Sequence, residues 1–339
     1  MLSAVMKAIL LRELGGPERL VLEQTPAPEP GPGEAVVALR AAALNHRDAW
    51  IRKGLYAGIS LPIILGSDGA GEVVAVGDGV DGAWLGRHVV INPSLGWGDD
   101  PRVQGPSYRI LGLPDHGTYA ERVKVPAENL YAKPASLSWG AAAAIPLAGL
   151  TAYRALVTRA RVQRGETVLI TGIGGGVATI ALLIARHAGA RVFVTSSSDA
   201  KLTRARQLGA EGGANYRQEE WAKRVQTLCD GGPDVIIDSA GRDVFPALLD
   251  LIKPGGRLVT FGATTGSPST VEVRRIFWKQ VSILGSTMGT PAEFAGMLAL
   301  FDGQLTPIVD RVFPLAAAPD AHRRMDQADQ FGKIVLEIA

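Results

Sequence analysis

The sequence predicts an α/β protein of two domains, a β-rich domain followed by a doubly wound parallel sheet covered by helices. Three observations carry that expectation. At 339 residues and 47% hydrophobic, the chain can fill two separate cores. Up to residue 130 it reads as short apolar runs broken by Gly and Pro. From Gly165 onward, apolar strand-like runs alternate with longer helical stretches, the texture of a parallel sheet with helical crossovers.

In chain order, Met1–Leu11 holds an apolar strand-like run without the basic stretch, apolar core and cleavage site of a secretory signal. Strands are expected at Ala35–Ala41, Gly71–Val76, His88–Ile91 and Tyr119–Val125, each bounded by turn residues. Between the last two, Asn92–Asp115 is rich in Gly, Pro and Asp, and an excursion of that length is a functional loop or a lobe in its own right. A helix-rich stretch, Trp139–Val157, reads as the linker. The second domain runs strand Thr167–Thr171, helix to Ala188, strand Arg191–Thr195 and helix to Leu208. Further strands are expected at Asp234–Asp238, Arg257–Phe261 and Val281–Ser286. Gly332–Ile338 reads as a last strand returning to the N-terminal domain. The expected division is residues 1–130 with 300–339, and residues 131–299.

Composition excludes several classes of function. A net charge of +2, with basic residues scattered among acids, gives no case for a nucleic-acid or acidic-membrane partner. No stretch approaches the ~20 apolar residues of a membrane span. Cys229 is the one cysteine, which rules out an intramolecular disulfide and any multi-cysteine zinc site. It lies in a helical stretch and is read as a packing residue; a reducing cytoplasm is the expected location.

The strongest local signal is Val168–Ala178, an apolar strand running into Gly172, Gly174, Gly175 and Gly176 and then an apolar helix. Glycines allow the tight turn and close approach of a pyrophosphate, whose charge then rests on the amides at the helix N-terminus. Dinucleotide binding is expected. An NAD site usually places Asp or Glu at the end of the next strand, on the ribose 2'-hydroxyl. Here that strand ends in Ser196, Ser197 and Ser198, with Lys201 one turn later, which favours the 2'-phosphate of NADP(H). The competing reading makes the serines a helix cap and Lys201 a solvated lysine, and Asp199 stands close by.

These residues belong to a longer ordered set: Ala42–Asp48, Gly66–Val73, Gly117–Glu121, Leu150–Leu156, the glycine turn, Leu208–Ala210, Asn215–Arg217, Asp238–Gly241 and Lys253–Arg257. In that order they resemble the medium-chain dehydrogenase/reductase superfamily, specifically its zinc-free quinone oxidoreductase-like branch. The resemblance implies a GroES-like β-rich catalytic domain, closed by the C-terminal segment, with a Rossmann domain inserted. It implies a 2'-phosphate pocket of Ser197, Lys201 and Tyr216. It places Gly174, Gly175, Gly176 and Val177 on the pyrophosphate, within reach of His46. Thr151, Ser239, Gly262, Ala263, Thr264, Ser286, Thr287 and Met288 would line the nicotinamide half, and Lys333 stands where some relatives contact the cofactor. The bland alternatives are a turn aromatic for Tyr216, a structural imidazole for His46 and a surface lysine for Lys333. Ala178 replaces the usual final glycine, a change tolerated because that position asks for close helix–strand packing.

By the same resemblance Asn45, Ser67 and Leu147 stand where zinc-dependent relatives carry catalytic zinc ligands. Zinc needs thiolate, imidazole or carboxylate donors around an open position, and leucine offers none. The excursion that carries structural zinc in such relatives has no cysteine. No metal is expected. Without a Lewis acid, hydride transfer is easier to a conjugated acceptor, whose charge spreads to a distant oxygen that ordinary donors can hold. Asn45 is the candidate donor, with a loop-locking role as its alternative. Asp48 is expected to orient the loop or the substrate, and Tyr56 and Trp50 to wall a flat acceptor. The expected activity is NADPH-dependent reduction of quinones or α,β-unsaturated carbonyls, on a small-molecule substrate. The runners-up are an alcohol dehydrogenase or carbonyl reductase of the same superfamily and a non-catalytic NADPH-binding sensor or scaffold. Relatives form dimers or tetramers, so a homodimer or homotetramer paired through Val281–Gly285 is expected.

Overall fold

The computed structural model describes residues 4–242 and 244–339, so Met1–Ser3 of the expected first strand lie outside the described residues. The chain forms two compact units, one running to Leu150 and resuming at Gly289–Ala339, the other Thr151–Met288. The boundaries fall later than residue 130 and earlier than residue 300, because the helix Pro146–Tyr153 belongs in part to the first unit and the helix Pro291–Phe301 wholly to it.

The first unit is GroES-like. Its largest sheet is centred on Glu34–Ala43, which pairs antiparallel with Asp68–Val76, Arg122–Pro126 and the last strand, Lys333–Glu337. Lys333–Glu337 also runs parallel to Val309–Pro314. A smaller sheet sets Val5–Leu11 between Leu20–Pro26 and Ile63–Ile64. Alternation decides the faces: in Arg122–Pro126, Val123 and Val125 turn inward while Lys124 is exposed. The core joins Ile9, Leu11, Val37, Leu44, Ile51, Tyr119, Ile334 and Leu336, each large apolar side chain contributing about 1.5–3 kcal/mol on burial. The excursion Asn92–Asp115 carries a two-stranded ladder, Ser94–Leu95 against Arg109–Ile110, and an edge-to-face pair of Trp97 and Tyr108.

A short helix, His46–Arg52, follows Glu34–Ala43. Its wholly buried Arg52 donates to Asp326 Oδ2 at 2.6 Å and to the Gly15 carbonyl at 2.7 Å. This clamps it to the helix Ala318–Asp326, and the site residues ride on a fixed turn of backbone.

The second unit is a Rossmann domain. Its strands are β1 (Thr167–Ile170), β2 (Arg191–Ser196), β3 (Gly212–Asn215), β4 (Val235–Asp238), β5 (Arg257–Thr260) and β6 (Ser282–Gly285). All are parallel, in the order β3-β2-β1-β4-β5-β6. The order reverses at β1, and in open sheets of this kind the ligand crevice lies at the C-terminal ends of the strands around that reversal. The sequence reading did not include β3: Gly-Gly-Ala-Asn has neither β-branched residues nor alternation, and takes strand form by pairing with Phe193–Ser196.

Candidate active site and nucleotide site

The glycine turn follows β1 at the point of reversal. It is pinned on one side by Thr195 of β2, whose Oγ1 accepts from Gly172 N–H at 3.3 Å and whose carbonyl accepts from Ile173 N–H at 2.8 Å. On the other side Thr171 Oγ1 donates to Asp238 Oδ1 at 2.6 Å, and Asp238 accepts from Ala240 and Gly241 N–H, shaping the turn that carries Ser239. Burial raises the Asp238 pKa. Gly172 and Gly174 have φ of +63° and +123°, conformations closed to most side chains. A Cβ on Gly172 would meet nothing within 4 Å, so the backbone is open to a ligand. The helix Gly176–His187 begins here without a side-chain cap, whereas Ser138, Ser198, Glu272 and Thr290 cap other helices. Its first amides and dipole are thus available to an anion. These residues fit a dinucleotide pyrophosphate.

At the ends of β2 and β3, Ser197 and Lys201 are half-buried and Tyr216 is exposed, with Tyr216 N–H bonded to the Ser196 carbonyl at 3.0 Å. Ser198 does cap the next helix, accepting from Lys201 N–H at 3.4 Å, and Asn215 Nδ2 holds Asp199 Oδ1 at 3.2 Å. Ser197 and the Lys201 side chain are outside that cap. Along the same edge, Thr264 bonds the Ser239 carbonyl through both N–H and Oγ1 at 2.9 Å, beside Gly262 and Ala263. Ser286 N–H bonds the Thr260 carbonyl, next to Thr287 and Met288, and Thr151 Oγ1 lies 3.9 Å from Met288 Sδ. Cys229 is buried at a helix end, and burial pushes its thiol up to about 12, far from a nucleophile's range.

In the first unit, Asn45, Ser67 and Leu147 come together around Asp68. The Asp68 carboxylate is fully buried and accepts from Asn45 Nδ2 at 3.0 Å, Leu147 N–H at 2.8 Å and Lys333 Nζ at 2.8 Å. Lys333 enters from the last strand, with 4% of its side chain exposed, and gives its other two protons to Asn45 Oδ1 and the Leu44 carbonyl, both at 2.7 Å. All three of its donors are spent inside this cluster. Asn45 keeps one Nδ2 proton beyond the bond to Asp68.

Asp48 is wholly buried and accepts from Asn45 N–H at 2.8 Å and Tyr119 OH at 2.9 Å. Burial raises the Asp48 pKa against the pull of Arg47, and lifts that of Tyr119 well above its ordinary value. Asp48 thus ties the Asn45 backbone to the Tyr119 hydroxyl. Gly66 fits beneath the Tyr119 ring, which a Cβ would approach to 2.4 Å. Arg47 Nη1 donates to Ser67 Oγ and to the Leu111 carbonyl, both at 2.8 Å, and its guanidinium lies over the Tyr56 ring at 5.2 Å. Tyr56 and Trp50 are half-buried. His46 is solvent-accessible yet ringed by protein, 6.1 Å from Trp50; this crowding first, and the Lys333 charge second, lower its pKa. Sequence reasoning missed Arg47, Asp68 as an organiser, and Tyr119. All three lie inside the quoted blocks, but only the fold shows what they bond.

This donor set does not fit zinc. An amide, a hydroxyl donated to a carbonyl and a hydrocarbon replace the ligands, and two cationic side chains, Lys333 and Arg47, bond to two of them.

Comparison with known proteins agrees with this architecture. Residues 31–135 match the alcohol dehydrogenase GroES-like domain family, and residues 176–303 match the zinc-binding dehydrogenase family. The chain is 36% identical to the zinc-type alcohol dehydrogenase-like protein YogA of Leptosphaeria maculans over 94% of each chain. It is 33% identical to a quinone oxidoreductase of Pseudomonas aeruginosa, over 97% of this chain and 99% of that one. Among solved structures it resembles an NAD-dependent alcohol dehydrogenase (TM-score 0.94, 43% identity, 98% and 100% covered). It also resembles the crotonyl-CoA carboxylase/reductase AntE in complex with NADP (TM-score 0.89, 26% identity, 99% and 95% covered). With its GroES-like and Rossmann units and its open glycine turn, the chain belongs to the medium-chain dehydrogenase/reductase superfamily, as an oxidoreductase using a nicotinamide cofactor.

Proposed function

We propose that the chain is an NADPH-dependent oxidoreductase that reduces quinones or α,β-unsaturated carbonyl compounds by metal-free hydride transfer. The observation that carries this is the Lys333–Asn45–Asp68 cluster: an oriented amide with a spare proton, polarised by a buried ammonium, at the position of one of the zinc ligands of zinc-dependent relatives. Reduced nicotinamide supplies the hydride. Asn45 Nδ2–H donates to the acceptor oxygen as negative charge gathers there, and Lys333 drawing on Oδ1 makes that amide a stronger donor. Asp48 holds the loop through the Asn45 N–H, and Tyr56 flanks a flat acceptor.

The cofactor choice rests on Ser197, Lys201 and Tyr216, which have the charge and hydroxyls for a 2'-phosphate. Gly174–Val177 would hold the pyrophosphate, and Thr151, Ser239, Gly262–Thr264 and Ser286–Met288 the nicotinamide half. We further propose a homodimer or homotetramer formed through the edge strand β6, beside which Phe277 and Trp278 are 61% and 83% exposed. A cytoplasmic location goes with this reading; no helix among the described residues is long and apolar enough to cross a membrane.

The test is NADPH oxidation with a quinone, an enone and a simple ketone, before and after a chelator. Chelator-resistant turnover of the conjugated acceptors is expected. The likeness to an NAD-dependent alcohol dehydrogenase supports a second reading, a carbonyl reductase of the same superfamily. Activity confined to the ketone, or abolished by chelation, would replace the first reading with that one.

A further inference from the structure

A hollow of about 450 Å³ lies in the GroES-like unit, bordered by the short helical turns Gly82–Trp84 and Ala127–Asn129 and sharing no residue with the polar cluster around Asp68. That volume is in the range of small-molecule sites, about 300–1,000 Å³. Its walls are apolar and aromatic: Val80, Trp84, Leu130 and Tyr131. Both rings are held. Trp84 packs on the core, while Tyr131 lies 4.7 Å from the Phe294 ring and donates its hydroxyl to the Pro291 carbonyl at 3.2 Å.

The charged side chains of the lining are both exposed carboxylates, Asp81 and Glu128. Asp81 Oδ1 accepts from Ala83 N–H at 2.9 Å, which leaves Oδ2, and among the described residues neither carboxylate is in an ion pair. Cations close by in the chain are bonded to other groups: Lys124 to Glu34 at 2.9 Å, and Arg87, through Nε, to the Ala83 carbonyl at 3.3 Å. Burial raises the Tyr131 pKa and the Glu128 charge adds to it, so this carboxylate and this ring act on one another. An anion is repelled by such a surface, and a neutral apolar molecule gains from the walls alone. An organic cation gains from the ring faces and the acids together.

We propose that this hollow binds small organic ammonium ions, as a second ligand site independent of the reaction proposed above. The alkyl groups of the ion cover Val80 and Leu130, its charge rests on the Trp84 and Tyr131 rings, and Asp81 and Glu128 flank it.

Choline and 3,3-dimethylbutan-1-ol have the same shape and differ in charge, so the pair isolates the claim. The full-length, isotopically labelled protein is titrated with each in about 0.15 M salt, following by NMR the indole N–H signal that Trp84→Phe removes. Choline is expected to bind about tenfold more tightly, from a cation–π contact and two partly screened carboxylates. Asp81→Asn combined with Glu128→Gln should remove most of that preference, with thermal melts verifying folding. In the unaltered protein alone, equal affinity for the two probes or no binding of choline overturns the proposal. So does a preference that survives the double substitution, or choline binding that leaves the Trp84 signal in place. Turnover plays no part in the readout: a protein that reduces no conjugated acceptor would refute the proposed activity and leave this site to stand or fall on the choline titration.

Discussion

The glycine turn and the Asn45–Asp68–Lys333 cluster are built by opposite means. The turn is backbone: four glycines within five residues, pinned by Thr195 and Thr171, with a helix end left uncapped. The cluster is side chain: an amide, a carboxylate and an ammonium, with Lys333 lying 288 residues from Asn45 and 265 from Asp68. A backbone site tolerates changes around it as long as the turn survives. A buried charged network responds steeply to the loss of any member, since the partner left behind remains desolvated.

The largest test of that contrast is Lys333→Met. It strands the Asp68 carboxylate with no counter-ion and should destabilise the protein by about 3–5 kcal/mol in urea melts, with Asp68→Asn in the same chain restoring much of the loss. If the single variant melts like the unaltered protein, the cluster is not an electrostatic unit. Next is Asn45→Ala, expected to lower kcat on an enone by roughly 100-fold with a smaller change in KM, the pattern for a donor that matters most in the transition state. A loss confined to KM would mean that Asn45 only binds.

At the nucleotide unit, Lys201→Ala should weaken NADPH by about 1.5–3 kcal/mol while NADH changes little, read by fluorescence titration. Equal losses would argue against the phosphate pocket. The last test concerns acid. His322 is wholly buried, and burial first and Arg52 second hold its pKa down at about 3. An unfolded histidine takes up a proton near pH 6.5, so between about 6.5 and 3 the unfolded state binds a proton that the folded state refuses. Stability should therefore drop as the pH falls through that window, by up to ~1.4 kcal/mol per unit from this one group. His322→Gln should flatten the slope in urea melts at pH 7, 6 and 5; an unchanged slope would assign it to other groups.

The two sites also differ in how far they could be read in advance. The glycine turn, the strands on either side of it and the serines ending β2 are local patterns, and the structure has them within a residue or two of where the sequence placed them. β3 escaped because Gly212–Asn215 owes its form to a partner strand. The excursion escaped in part because a two-residue ladder leaves no periodicity to detect. At the polar cluster Asn45, Ser67 and Leu147 were singled out for what they are not. What holds them, the Asp68 carboxylate and Lys333 ammonium, depends on strands that meet only in the folded sheet.

The last strand also sets a timetable for synthesis. Asp68 is made 265 residues before the lysine that neutralises it, a wait of roughly 10–50 s at ordinary elongation rates. The nucleotide unit, drawn from the continuous stretch Thr151–Met288, can fold as soon as its own residues emerge. The GroES-like unit cannot balance its buried charge until residue 333 is made. A nascent chain that ends before residue 333 thus holds every residue of its nucleotide unit and still lacks the ammonium that its buried Asp68 requires.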